Sequence, residues 1–192
     1  MPSLTELLAA GSAIDGIASH LDSLDHEARV REVRSLSRSA VPDLFERAAG
    51  RPVGLDHFVP PEVPTGTPVR HHGINSLPLF RKFEKRFVRP AGSGRLWGYN
   101  HQAMGFVTGP GYFVVEEAAP GQELAIDYYQ VPDGPPPAGW PPVRRNETFP
   151  TSLVYGYMKD FMRRVSRHVS VGRAHKKGVP QKAWFVLVRQ DP

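Results

Sequence analysis

The chain has 192 residues, 40% of them apolar, and no cysteine. That is enough material for one buried core and excludes disulfides, thiolate metal sites and cysteine nucleophiles. The formal charge of +5 is uneven, because residues 1–50 hold five arginines against eight carboxylates, net −3, while residues 51–192 hold 19 basic against 11 acidic side chains, net +8. No run of about 18 apolar residues is present to span a membrane and the N-terminus MPSLTELLAAGSAIDG lacks the basic start of a secretory signal, so a soluble cytoplasmic protein is expected.

Leu4, Leu7, Leu8, Ile14, Ile17, Ala18 and Leu21 recur at helical spacing, which predicts a helix over about 4–21 despite Gly11 and Gly16. Ser3, with Glu6 three residues on, is a capping-box start. A second helix is expected from His26 to about Ala40 with Val30 and Val33 inward, and a third, short one from Pro42 to Ala49, stopped by Gly50. Residues 1–50 are thus expected to be a helical hairpin that braces or lids the rest, with dimerisation through these helices as the alternative. Residues 51–72 hold five prolines and no sustained period, which predicts an extended crossing segment with one short strand near Val69–His71.

Ser76 precedes Leu79, Phe80, Phe83 and Phe87, a spacing that favours a helix over a strand. The stretch from Arg95 to Val131 then predicts an antiparallel meander, with strands over Arg95–His101, Ala103–Thr108, Tyr112–Ala118 and Glu123–Val131 and turns at Thr108-Gly109-Pro110-Gly111 and Ala119-Pro120-Gly121. Pro132–Pro142 is a semi-rigid connector carrying Trp140. Another helix is expected over about Ser152–His168, followed by strands over Val169–Ala174 and Lys182–Arg189. The last of these is apolar on both faces and predicts a central strand. The resulting fold class is α+β: an N-terminal helical hairpin (1–50), then a curved antiparallel β-sheet or partly closed barrel of about six strands with two further helices (51–192), the two parts forming one compact unit.

Four constellations bear on chemistry. His101, with Asn100 and Tyr99 beside it, and Asp127, with Tyr128 and Tyr129 beside it, supply the minimum for general acid–base work if their strands converge, since a carboxylate orients an imidazole and raises its basicity. The eight histidines lack ligand spacing, and His71-His72 point to opposite faces of a strand. No metal site and no cofactor are therefore expected. Residues 143–192 hold 11 basic against three acidic side chains, among them Arg163, Arg167, Lys176 and Lys177. Without an accompanying nucleic-acid motif this charge predicts a solvated face or contact with an acidic ligand group, and nucleic-acid binding is not expected. The aromatics gathered around the sheet are consistent with an apolar pocket.

The series Lys85-Arg86-Phe87, Leu96-Trp97-Gly98, Phe161-Met162-Arg163-Arg164-Val165, Val171-Gly172 and Trp184-Phe185-Val186-Leu187-Val188-Arg189, spread over residues 80–190, resembles small lipocalin-like, calycin-type β-barrel proteins. The chain departs from them in lacking a Gly-x-Trp signature and in carrying the N-terminal hairpin. The resemblance implies a barrel that binds hydrophobic ligands. Together these features predict binding of a small apolar or amphipathic molecule with an acidic head group, with Trp97, Tyr99, Asn100, Phe106, Tyr128, Tyr129 and Arg173 lining or closing the pocket. The alternatives are an isomerase-, cyclase- or dehydratase-type enzyme using His101 and Asp127, and a polyanion- or partner-binding module using the C-terminal basic cluster.

Overall fold

A computed structural model describes residues 2–78, 81–101, 109–120, 122–149 and 151–191. Ser3 caps the first helix as its spacing to Glu6 predicts: its hydroxyl accepts from the Glu6 amide, and the Glu6 carboxylate accepts from the Ser3 amide at 2.7 Å. The helix expected over 4–21 is two helices, α1 (Leu4–Ala9) and α2 (Ile14–Ser23), because Gly11 takes a left-handed turn at φ 71°. The helix α3 (His26–Ser35) starts on an Asp25 cap, and α4 (Ala40–Arg47) carries Pro42 in its first turn, where a missing amide donor costs no helical bond. These four helices turn one apolar stripe, including Leu4, Leu8, Ile17, Leu21, Val33 and Leu44, onto the outer face of three strands at Ile74, Val169, Val171, Val186 and Val188. They brace a wall.

The wall belongs to a closed barrel. Its strands are β1 (Val69–Asn75), β2 (Lys82–Val88), β3 (Leu96–His101), β4 (Tyr112–Val115), β5 (Leu124–Asp127), β6 (Met158–Arg164), β7 (Val169–Lys176) and β8 (Val179–Arg189), each antiparallel to the next. β8 returns to β1 from His71 opposite Arg189 to Asn75 opposite Phe185. The sheet therefore has eight strands and is closed, correcting the expectation of about six strands and partial closure. Closure removes both edges, which a six-strand open sheet would have had to protect. The expected strand over Ala103–Thr108 lies outside the described residues.

Two of the added strands were expected to be helices. Of the Leu79–Phe87 stretch, Leu79 and Phe80 lie outside the described residues and the part from Lys82 on falls in β2, in which Phe83, Lys85 and Phe87 face the barrel interior. The Ser152–His168 stretch gives a single turn, α6 (Thr151–Val154), and then β6, in which Met158, Asp160 and Met162 face inward. In both, the middle inward residue is charged, so the alternation that marks a strand is interrupted at its centre. Ser76 does not cap a helix but extends the β1–β8 ladder: its amide donates to the Trp184 carbonyl at 2.8 Å, and its hydroxyl accepts from the Trp184 amide at 3.0 Å.

Inside the barrel, Phe87, Leu96, Phe113, Ile126, Met162 and Leu187 form a second core. The short helix α5 (Leu55–Phe58) plugs the lower end, stacking Phe58 on Phe87 with ring centroids 4.9 Å apart. Interior glycines make room for rings: a Cβ at Gly98 would collide with the Phe113 ring and with the Arg86 carbonyl oxygen. Neither a paired strand nor a packed ring can retreat, so Gly98→Ala is expected to cost about 1–3 kcal/mol of stability. An unchanged urea midpoint in that variant would contradict this packing.

Candidate functional site

Filling by aromatics stops short of the upper end, where β1 leads toward β2 and β7 turns into β8. A cavity of about 180 Å³ lies there, lined by Phe83, Val154, Tyr155, Met158, Trp184 and Phe185 among others, and floored by four polar side chains: Lys85, Asn100, Tyr128 and Asp160. Each comes from a different part of the barrel: β2, β3, the residue after β5, and β6. Strand alternation turns all four inward, and all four are buried.

Their bonds form a closed set. The Lys85 ammonium has three N–H donors and three acceptors: Asn100 Oδ1 at 2.8 Å, Asp160 Oδ2 at 3.3 Å and the Tyr128 hydroxyl oxygen. The Asn100 amide nitrogen donates to the Gly111 carbonyl at 3.0 Å and to the Tyr128 hydroxyl at 3.1 Å, which fixes the amide's orientation. Tyr128 then has one proton to give, with Asp160 Oδ2 at 3.2 Å as its nearer acceptor and Asn100 Oδ1 at 3.4 Å as the other. The rings of Phe83, Phe113, Tyr128 and Phe185 surround the ammonium at 5.1–5.7 Å from their centroids.

Burial pushes the Lys85 ammonium below its usual range, and Asp160 opposes that shift. Burial also holds the Tyr128 hydroxyl well above its usual range, with the Asp160 charge adding to it. The cluster therefore keeps Tyr128 protonated and presents no net charge as the ion pair Lys85–Asp160. One acceptor is left over: Asp160 lines the cavity, and its Oδ1 takes no hydrogen bond among the described residues.

Only part of the expected site lies here. Asn100 and Tyr128 are in the cavity floor. Trp97 is on the outer wall against Gly134, and Tyr99 is on the same wall, its ring 4.7 Å from that of Trp140. Arg173 lies over the Trp184 ring at 4.9 Å and donates to the Gln181 carbonyl. Tyr129 is exposed, in edge contact with Tyr157. Phe106 is outside the described residues.

His101 and Asp127 are not brought together. His101 is exposed at the end of β3, its Nδ1 3.4 Å from the Tyr99 hydroxyl. Asp127 is on the outer face of β5, where it accepts from the Tyr129 amide at 2.9 Å and the Gln130 side chain at 3.2 Å and pairs with Lys159 at 3.0 Å. The register sets Asp127 opposite Val114 and Val114 opposite Trp97, four residues along β3 from His101, a displacement of about 13 Å. The partner that Asp127 needed as a buried carboxylate is Lys159, not a histidine. The basic residues Arg163, Arg167, Lys176 and Lys177 are also dispersed. Arg163 is bonded to Glu123 and to the Phe45 carbonyl, while Arg167 and the Lys176–Lys177 pair lie at opposite ends of β7.

Lys85 and Asp160 both sit in segments whose spacing predicts helices, so the sequence pattern marks neither as an inward-facing charge. Placed on strands, each falls at the centre of an apolar inward face, and a charge in that position demands a partner.

Among the described residues, no helix is long and apolar enough to cross a membrane, and no group of three or more His, Asp or Glu side chains could hold a metal ion. Comparisons with family models, with characterised proteins and with solved structures gave no match.

Proposed function

We propose that the barrel binds a ring-sized, largely apolar molecule whose polar end is a hydroxyl or another hydrogen-bond donor. The observation that carries this reading is that Asp160, whose Oδ1 takes no hydrogen bond among the described residues, lines an aromatic-walled cavity. A buried carboxylate oxygen gains from a donor, and the apolar wall gains from an apolar body. The acidic head group anticipated from the basic composition fits less well, because a carboxylate entering the cavity would meet Asp160, and Lys85 is already neutralised. The cavity, about 180 Å³, is small beside ligand pockets of about 300–1,000 Å³, which favours a compact ligand. The up-and-down topology with side chains or one small ligand inside is common to several eight-stranded barrels. The lipocalin-like resemblance supports the reading on that ground alone.

The test is calorimetric titration with monocyclic phenols and with their methyl ethers. Phenols are expected to bind at least tenfold tighter, since a hydrogen bond to a charged group contributes about 1.5–3 kcal/mol. Equal affinity for the ethers, or no binding of either, would remove the proposal.

A second reading takes the same cluster as acid–base machinery, with Asp160 as base and the Tyr128 hydroxyl as donor, in place of His101 and Asp127. Their direct contact at 3.2 Å beside the cavity favours it. It requires that a bound ligand exchange a carbon-bound proton with solvent deuterium and that Asp160→Asn abolish the exchange. Ligand that stays unlabelled through prolonged incubation leaves binding alone.

A further inference from the structure

The opposite end of the barrel carries a second recess that the ligand reading does not use. It measures about 440 Å³ and is lined by Arg164, Arg167 and Arg189, by His57, and by the carboxylates of Asp56 and Glu62. Asp56 is bonded to Arg89 at 2.8 Å, which leaves Glu62 facing three guanidinium groups.

The donors in this recess lack acceptors. Arg189 is 7% exposed. One of its terminal nitrogens donates to the His57 carbonyl at 2.6 Å and the other lies 3.3 Å from His168 Nδ1. Its Nε is buried with no partner, and among the described residues no carboxylate comes within ion-pair distance of it. His57 Nε2 is likewise buried and unpartnered. The guanidinium groups of Arg164 and Arg167 are exposed and make no hydrogen bond or ion pair among the described residues; Arg167 is held by its backbone amide, which donates to Asp22. Burial first, then the charges of His71, Arg189 and Arg164, keeps the His57 ring uncharged.

We propose that this recess is an oxyanion site in which a phosphate group is held by Arg164, Arg167 and Arg189. Phosphate oxygens supply the acceptors that the exposed guanidinium groups of Arg164 and Arg167 lack, beside the charge of Arg189. The planar forks of Arg164 and Arg167 match two of these oxygens, the geometry for which arginine is better suited than lysine. The charge balance agrees: a divalent anion with Glu62 offsets the three guanidinium groups. The site is separated from the upper cavity by the Phe58–Phe87 stack, so it stands independently of the ligand proposed there.

The source of the phosphate, free ion or monoester, is read by titrating the protein with inorganic phosphate and with glycerol phosphate against potassium chloride at equal ionic strength. Single-site binding with a raised unfolding temperature is expected from at least one of them. Tighter binding of the monoester marks a phosphorylated organic molecule, and equal or tighter binding of inorganic phosphate marks the free ion. The double variant Arg164→Ser/Arg167→Ser is expected to lose at least tenfold in affinity while keeping its unfolding temperature in phosphate-free buffer, because neither side chain supports the fold. Stabilisation no greater than that by chloride, or wild-type affinity in the double variant, overturns the assignment.

Discussion

Asp160→Leu alone is expected to lower the stability of the fold by about 3–5 kcal/mol, the largest single-residue effect in the barrel. The substitution leaves the Lys85 ammonium inside the barrel without its counter-charge. Both partners are almost fully enclosed, with side-chain exposures of 3% and 4%, so solvent screening does not soften the loss. The Tyr128 hydroxyl loses the nearer of its two acceptors in the same step. The companion variant Lys85→Met/Asp160→Leu removes both charges and keeps the volume, and such replacements are commonly neutral or stabilising. Its stability is therefore expected to return to or above that of the native chain. Urea denaturation of the three proteins checks this. A double variant as unstable as the single one would mean that packing around these side chains, not the unpaired charge, sets the cost.

Acid is expected to destabilise the lower half of the barrel through His71. That imidazole is fully buried, its Nε2 is 2.9 Å from the Phe58 carbonyl, and burial lowers its pKa from 6.5 to about 3. The sign follows from the depressed folded-state value. The neutral ring's contribution is complete above pH 6.5 and is lost as the pH falls toward 3, because only the unfolded chain takes up the proton in that window. At about 1.4 kcal/mol per pH unit this amounts to about 4–5 kcal/mol across the window. His57, held neutral by burial in the same region, acts in the same direction. His71→Gln retains an N–H that can reach the Phe58 carbonyl and cannot titrate, so its stability is expected to fall less steeply between pH 6.5 and 3. Parallel stability curves for the native chain and the variant would refute this role for His71.

Where the pattern of side chains was pure, local structure could be read from it. The Ser3–Glu6 capping box and the closing apolar strand at β8 both rest on residues whose neighbours agree with them. Reading failed where a strand carries a charge in the middle of its inward face. Phe83-Glu84-Lys85-Arg86-Phe87 and Met158-Lys159-Asp160-Phe161-Met162 have apolar ends at strand spacing, but the centres are polar, and phenylalanines elsewhere in the first segment completed a helical period. The two misread strands hold the two members of the buried ion pair, so the strand count and the candidate site were lost together. This agrees with the general expectation that local rules break at sites where a chain has accepted a cost for chemistry. The His101–Asp127 pairing failed for a different reason: nothing in a sequence gives the register that leaves them four residues apart along the sheet, whereas Asn100 and Tyr128, on the opposite faces of the same strands, converge.

The central claim is that the polar-floored cavity is a ligand site, and the chain's four methionines offer a direct probe. Met158 lines the cavity, and Met1 lies at the far N-terminus of the chain. With the methionine methyl groups labelled with carbon-13, titration with a phenol is expected to shift the Met158 resonance saturably while Met1 stays fixed, and Asp160→Asn is expected to weaken that response at least tenfold. A Met158 methyl that does not move, or that moves equally for phenol and methyl ether, would contradict the account.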